Sequence, residues 1–297
     1  MLKRTVTGAI YVAIIAGFFL LRNYVDYRLF NILTFAFCAL GTFEVARALK
    51  SRSYKGNFTL AIVFGCIFAP VFCAVEYLTN LRGAFASLIL CEIAILYQVI
   101  LFTIKEMKAT EINFKADLKT FAVNLLPFVY PALLLLTMLS ANEFGGQGHI
   151  VGFIALLLIF VISPASDTFA YLVGMTYNKI RKGQAKRMCP RLSPKKTWAG
   201  AIGGVVGGVV GALVVYFATN TAILEGGKIS VLLAFIIIGV VASVLTEIGD
   251  LFESLIKRKV GIKDMGKIMP GHGGIMDRID GMSFAAVFVF AVFAVLL

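Results

Sequence analysis

The chain has 297 residues, of which 60% are hydrophobic and 15% charged, and its mean hydropathy is +0.91. A soluble domain carries about 25% charged and about 45–50% apolar residues, so one soluble core cannot absorb this excess, whereas helices immersed in lipid are apolar all round. The formal net charge of +12 fits an anionic membrane surface or an anionic substrate; nucleic acid is set aside, because no basic soluble domain exists to bind it.

Nine apolar segments are long enough to span a bilayer, near 5–21, 29–46, 58–75, 83–104, 120–138, 150–175, 197–218, 230–251 and 281–297. The first follows a short basic start, as in a signal peptide, but no small-residue cleavage site follows it, so it is read as a membrane helix. The partition places 24 of the 28 Lys and Arg residues on one side of the membrane. By the positive-inside rule that side is the cytoplasm. The expected fold is therefore an all-α, multi-pass protein of the cell membrane, with a cytoplasmic N-terminus and an external C-terminus. Residues 1–119 read as membrane helices without a recognisable motif, and 120–297 as the catalytic region. The latter holds two basic cytoplasmic loops, 176–196 with eight Lys and Arg and 252–280 with six. Glu92 lies in mid-helix without an evident partner. The five cysteines form no CxxC pair and read as inert thiols.

The seventh segment carries two glycine stripes, Gly200, Gly204, Gly208 and Gly203, Gly207, Gly211, at the four-residue spacing that lets helix backbones approach closely in lipid. No GxxxxGK[ST] phosphate loop is present.

The densest chemistry runs from Glu247 to Asp280. Glu247, Asp250, Ser254 and Lys257 are spaced three, four and three, which places them on one helix face. A charge within a membrane helix costs about 2.5–3.5 kcal/mol, so two carboxylates one turn apart imply a partner, and a cation is the natural one. Pro270 and three glycines around His272 forbid a regular helix there and permit close approach to a ligand. Asp277 and Asp280 follow at the start of the ninth segment, three apart. Hard oxygen ligands suit Mg²⁺, which binds through one or two carboxylates together with substrate phosphates, and the neighbouring Lys and Arg suit phosphoryl oxygens.

Three stretches resemble one family. Ser254-Leu-Ile-Lys257-Arg258, Lys263-Asp264 and Gly271-His272-Gly273-Gly274-Ile-Met-Asp277-Arg278-Ile-Asp280 are similar to the signature of the phosphatidate cytidylyltransferases (CDP-diacylglycerol synthases). Ser166-Asp167-Thr168-Phe-Ala-Tyr171-Leu-Val-Gly174 and Leu192-Ser193-Pro194-Lys195-Lys196-Thr197-Trp198 resemble it too. The motifs crowd into residues 160–281; before residue 120 the resemblance rests on hydrophobic layout. Two departures stand out: Ala199 where the family usually has Glu, and Asn178-Lys179 where it often has Gly-Lys.

The resemblance implies transfer of CMP from CTP to phosphatidate, giving CDP-diacylglycerol and pyrophosphate. It assigns Asp250, Asp277 and Asp280 to Mg²⁺, with Ser254 in support and room for a second cation. Lys195, Lys196, Lys257 and Arg258 would hold phosphates. Ser193, Thr197, Gly273 and Arg278 join them as substrate-binding residues, His272 as a structural or phosphate contact, and Asp167 as an orienting acid or the partner of a lysine. A second copy of the chain is kept among the candidate partners. Two rival readings are weighed. A CTP-dependent polyprenol or phytol kinase shares the substrate class but not the long signature. A cation-coupled transporter would use the acids as an ion pathway, against which they gather at one cytoplasmic edge beside Gly- and Lys-rich loops.

Overall fold

A computed structural model describes residues 2–51, 58–79, 114–145, 150–219, 230–271 and 273–296. The protein is an all-α membrane protein. Its helices are α1 (Leu2–Tyr24), α2 (Leu29–Ser51), α3 (Phe58–Thr79), α4 (Phe114–Pro127), α5 (Leu134–Asn142), α6 (Ile150–Ile180), α7 (Trp198–Ala218), α8 (Val231–Val260) and α9 (Met276–Leu296). A wider π-turn, Phe128–Leu133, joins α4 to α5 and kinks at Tyr130, so that Phe121–Asn142 makes one span. Seven helical stretches among the described residues are long and apolar enough to cross a membrane; α3 carries a shorter apolar run, Ala61–Val75. Eight of the nine expected segments coincide with helices, and the fourth, 83–104 with Glu92, lies outside the described residues.

Two compact units divide the chain. One comprises Met1–Ser140 with Val260–Asp277, the other Ala141–Lys259 with Arg278–Leu297. In the first, α2 is the central helix and buries Phe30, Phe37, Val45 and Leu49. The apolar side chains of α1 point outward instead, Val12 being 64% exposed and Leu20 58%, as expected of a helix whose solvent is lipid. In the second unit α7 is packed closely on both sides. A Cβ on Gly207 would lie 2.7 Å from the Ala165 carbonyl oxygen of α6, and one on Gly208 the same distance from the Gly239 carbonyl oxygen of α8. The two glycine stripes are thus lines of close approach to the backbone and side chains of neighbouring helices, and a side chain added there would hold the helices apart.

Three expectations about the basic loops are corrected. Residues 176–180 belong to α6, and the loop beyond them folds in part as an antiparallel hairpin, β1 (Arg187–Cys189) with β2 (Ser193–Thr197), pairing Arg187 with Thr197 and Cys189 with Ser193. Helix α8 continues to Val260 rather than ending near 251. The reason is local: Glu253 and Lys257 pair one turn apart, and Lys257, Arg258 and Lys259 suit the negative end of the helix. Gly261, at φ 81°, then ends it in the left-handed conformation that favours glycine. Helix α9 starts at Met276, five residues early, with Asp277 in its first turn.

Candidate active site

Helix α8 turns Glu247, Asp250 and Glu253 toward one side, each three residues from the last. The partner implied for the first two is supplied by the chain itself. Lys196 of β2 places Nζ 2.6 Å from Asp250 Oδ2 and 3.5 Å from Glu247 Oε2. Burial works against the Lys196 charge, but Asp250, then Glu247 and Asp167, outweigh it and hold the ammonium above the ordinary lysine range. The hairpin explains why Lys196 reaches them. Thr197 ends β2 in an extended conformation, and its Oγ1 accepts the Gly200 N–H at 3.1 Å, so the last strand residue also caps α7. Arg258 Nε donates to the Leu192 carbonyl at 3.3 Å, fastening the end of α8 to the hairpin turn.

Asp250, Glu253 and Asp280 each turn one carboxylate oxygen to within 4.8 Å of the other two. Three hard oxygen donors gathered in one place are the donor type that a hard divalent cation takes. Glu253 is fully buried, and one of its oxygens takes the Lys257 ammonium. Lys257, expected to hold phosphate, is therefore engaged with an acid of this cluster. Sequence reasoning missed Glu253. The signal is present in the sequence, since Glu253 lies one turn beyond Asp250, although a spacing of four favours Ser254 as the next residue of that face.

Beside the cluster, a cavity of about 550 Å³ opens between α6, the hairpin, α7 and α8. Asp167, Tyr171 and Asn178 of α6 line it, with Arg187, Lys195, Lys196, Thr197, Glu247 and Asp250. Its volume suits a small-molecule ligand, and basic and acidic side chains share its wall. Arg187, which sequence reasoning left among the loop cations, donates from Nη1 to the Lys195 carbonyl at 3.3 Å. Ser193 begins β2, Ser254 is half-buried on α8, and Arg278 is exposed on α9. His272 lies outside the described residues.

The glycine-rich loop belongs to the other unit and is organised by Asp277. Its Oδ2 accepts the Met265 N–H at 2.9 Å and the Gly274 N–H at 2.8 Å. Gly273 sits at φ 92°, and a Cβ there would lie 2.7 Å from that same oxygen, so both conformation and space demand glycine. Met269 N–H donates to the Gly273 carbonyl at 2.9 Å, closing the loop.

The sequence model of the cytidylyltransferase family matches residues 2–296. The chain belongs to that family. Among similar cytidylyltransferases is the phosphatidate cytidylyltransferase of Haemophilus influenzae, 36% identical over 138 residues that make up 46% of this chain and 44% of the relative. Those of Brucella abortus biovar 1 (38% over 146 residues, 48% and 49%) and Mycobacterium bovis (39% over 145 residues, 49% and 42%) are also similar. The chain spans about half the length of the curated relatives it matches. The three motif stretches thus resemble a family to which the chain does belong, and the match extends across the N-terminal helices, where no motif was legible.

Proposed function

We propose that this protein transfers CMP from CTP to phosphatidate, releasing pyrophosphate and leaving CDP-diacylglycerol. The observation that carries the reading is the cavity lined by Lys195, Lys196 and Arg187 together with Glu247 and Asp250 of α8, in a chain of the cytidylyltransferase family. The lipid phosphate oxygen attacks the α-phosphorus of CTP, and the bond from that phosphorus to the bridging oxygen of the β-phosphate breaks. A phosphate monoester has a second pKa of about 6, so the nucleophile is anionic at neutral pH and no general base is required. The protein's work is then orientation and charge neutralisation.

Lys195, Lys196 and Arg187 hold the triphosphate, with Ser193 and Thr197 at the same strand. Asp250, Glu253 and Asp280 would hold Mg²⁺, which when bound would supply neutralisation of phosphate charge. Asp167 orients Lys196. Lys257 and Arg258 fix the Glu253 carboxylate and the hairpin turn respectively. Asp277 and Gly273 shape the signature loop, and Ser254, Arg278 and His272 complete the proposed substrate contacts. The proposed topology has nine spans, a cytoplasmic N-terminus, an external C-terminus and the active site at the cytoplasmic face.

The deciding experiment uses two labels. Purified protein with phosphatidate and Mg²⁺ should move label from α-labelled CTP into lipid and none from γ-labelled CTP. Label arriving from the γ position would make this a lipid kinase. No transfer from either, with folded protein present, would reject both and return the transporter reading.

A further inference from the structure

We propose that Glu44, in the N-terminal helix α2, is a positioning residue for the signature loop 261–275 and for Asp277. Its consequence for catalysis rests on the cytidylyltransferase reading above; its structural consequence does not. Glu44 is 2% exposed and lies in the part of the chain where no motif suggested chemistry. Its Oε2 accepts the Met276 N–H at 2.8 Å, across 232 residues of sequence, and the Ile275 N–H lies beside it. It therefore satisfies backbone donors at the start of α9 that have no partner within the helix.

The loop is shaped around this carboxylate. A Cβ on Gly266 or on Gly274 would collide with the Glu44 side chain, and the Gly266 Cβ would also fall 2.9 Å from Gly274 Cα. Neither glycine has a left-handed backbone, so the demand is for space. Two passes of the loop close over one carboxylate, and a methyl group on either would lift them off. Gly274 is held twice, by the Glu44 side chain against its Cα and by Asp277 Oδ2 on its N–H. Met276, which Glu44 holds, is the residue next to Asp277. Asp277 and Arg47 are among the charged neighbours of Glu44. Without Glu44, Asp277 keeps its partners but loses the fixed point from which they are placed.

The test uses the whole 297-residue chain in detergent and in vesicles, with Glu44→Gln, Glu44→Asp, Glu44→Ala and Gly274→Ala. Glu44→Gln retains an acceptor oxygen at the same reach and should stay within about threefold of the parent kcat. Glu44→Asp is one methylene short, and with Glu44→Ala it should lose about tenfold or more in kcat per folded molecule, while KM for CTP moves far less. Hydrogen exchange of the loop amides should speed up in the Asp and Ala variants and not in Gln. Gly274→Ala should be damaging alone and much less so when added to Glu44→Ala, because the collision is gone. Unchanged loop exchange in Glu44→Asp and Glu44→Ala, or defects of Glu44→Ala and Gly274→Ala that multiply independently, would overturn the contact. A kcat per folded molecule equal to the parent's in Glu44→Asp and Glu44→Ala would overturn the catalytic consequence. If the parent itself transfers no CMP, the reaction reading fails, and the exchange measurements still decide Glu44.

Discussion

Lys196 and Asp250 show how one residue's meaning depends on its neighbours. In the sequence, Asp250 asks for a cation and Lys196 for a phosphate; in the structure they meet at 2.6 Å. Because the Lys196 pKa is raised, its pairing contributes fully below the ordinary lysine value of 10.5 and is lost only as pH climbs through the higher folded value. Loss of activity on the acid side must therefore come from carboxylates and substrate phosphate, not from Lys196. The metal assignment is tested at the same scale. Asp250→Asn, Glu253→Gln and Asp280→Asn should each lower kcat/KM by about a hundredfold and raise the Mg²⁺ concentration needed for half-maximal rate. If the three share one ion, pairs of these changes should be little worse than the poorer single change. Independent multiplication of the defects, measured as turnover against Mg²⁺ concentration, would dissolve the shared site.

At the scale of elements, α7 decides how closely the walls of the cavity can approach. Gly204 faces Glu247 and Ser166, with a Cβ there 2.6 Å from Glu247 Oε1 and 3.0 Å from Ser166 Oγ, and Gly208 faces Gly239 and Ser243. Gly208→Val should cost about 1–3 kcal/mol through overpacking and lower the melting temperature of the purified protein. Gly17→Ala in α1, where nothing lies within 4 Å of the added methyl, should be neutral or stabilise by up to about 1 kcal/mol. Equal shifts for the two would mean that the stripes act through helix propensity and not through close approach. The hairpin works at the same scale. Its strands bring Lys195, Lys196 and Thr197 to the mouth of α7, and Thr197 serves as strand end and helix cap at once.

At the scale of the whole molecule, the proposed orientation rests on the distribution of basic residues, 24 of 28 falling on the side read as cytoplasmic. With native cysteines removed, Gly145→Cys should react with an impermeant thiol reagent in intact cells and Ala185→Cys should not. The reverse pattern would invert the proposed topology. The prediction requires that the segment 83–104 also span, because only then does the alternation keep its phase.

Composition and periodicity were enough to establish a helical membrane protein and to locate eight of its helical segments, because lipid imposes a single rule: apolar side chains and internally satisfied backbone. Motif spacing led to the family and pointed to Asp250, Asp277 and Asp280; the first and last group with Glu253, whereas Asp277 accepts the Met265 and Gly274 amides. The ends of α8 and α9 were misread because hydropathy stops at the membrane edge, whereas a helix continues while its ion pairs and caps sustain it. The partner of Asp250, the membership of Glu253 in the acidic cluster, the place of Arg187 in the cavity wall and the carboxylate of Glu44 under Gly266 and Gly274 were decided by tertiary structure alone. Each depends on a contact between distant segments, or on which carboxylate oxygen faces which neighbour, and the order of residues along the chain does not encode those distances.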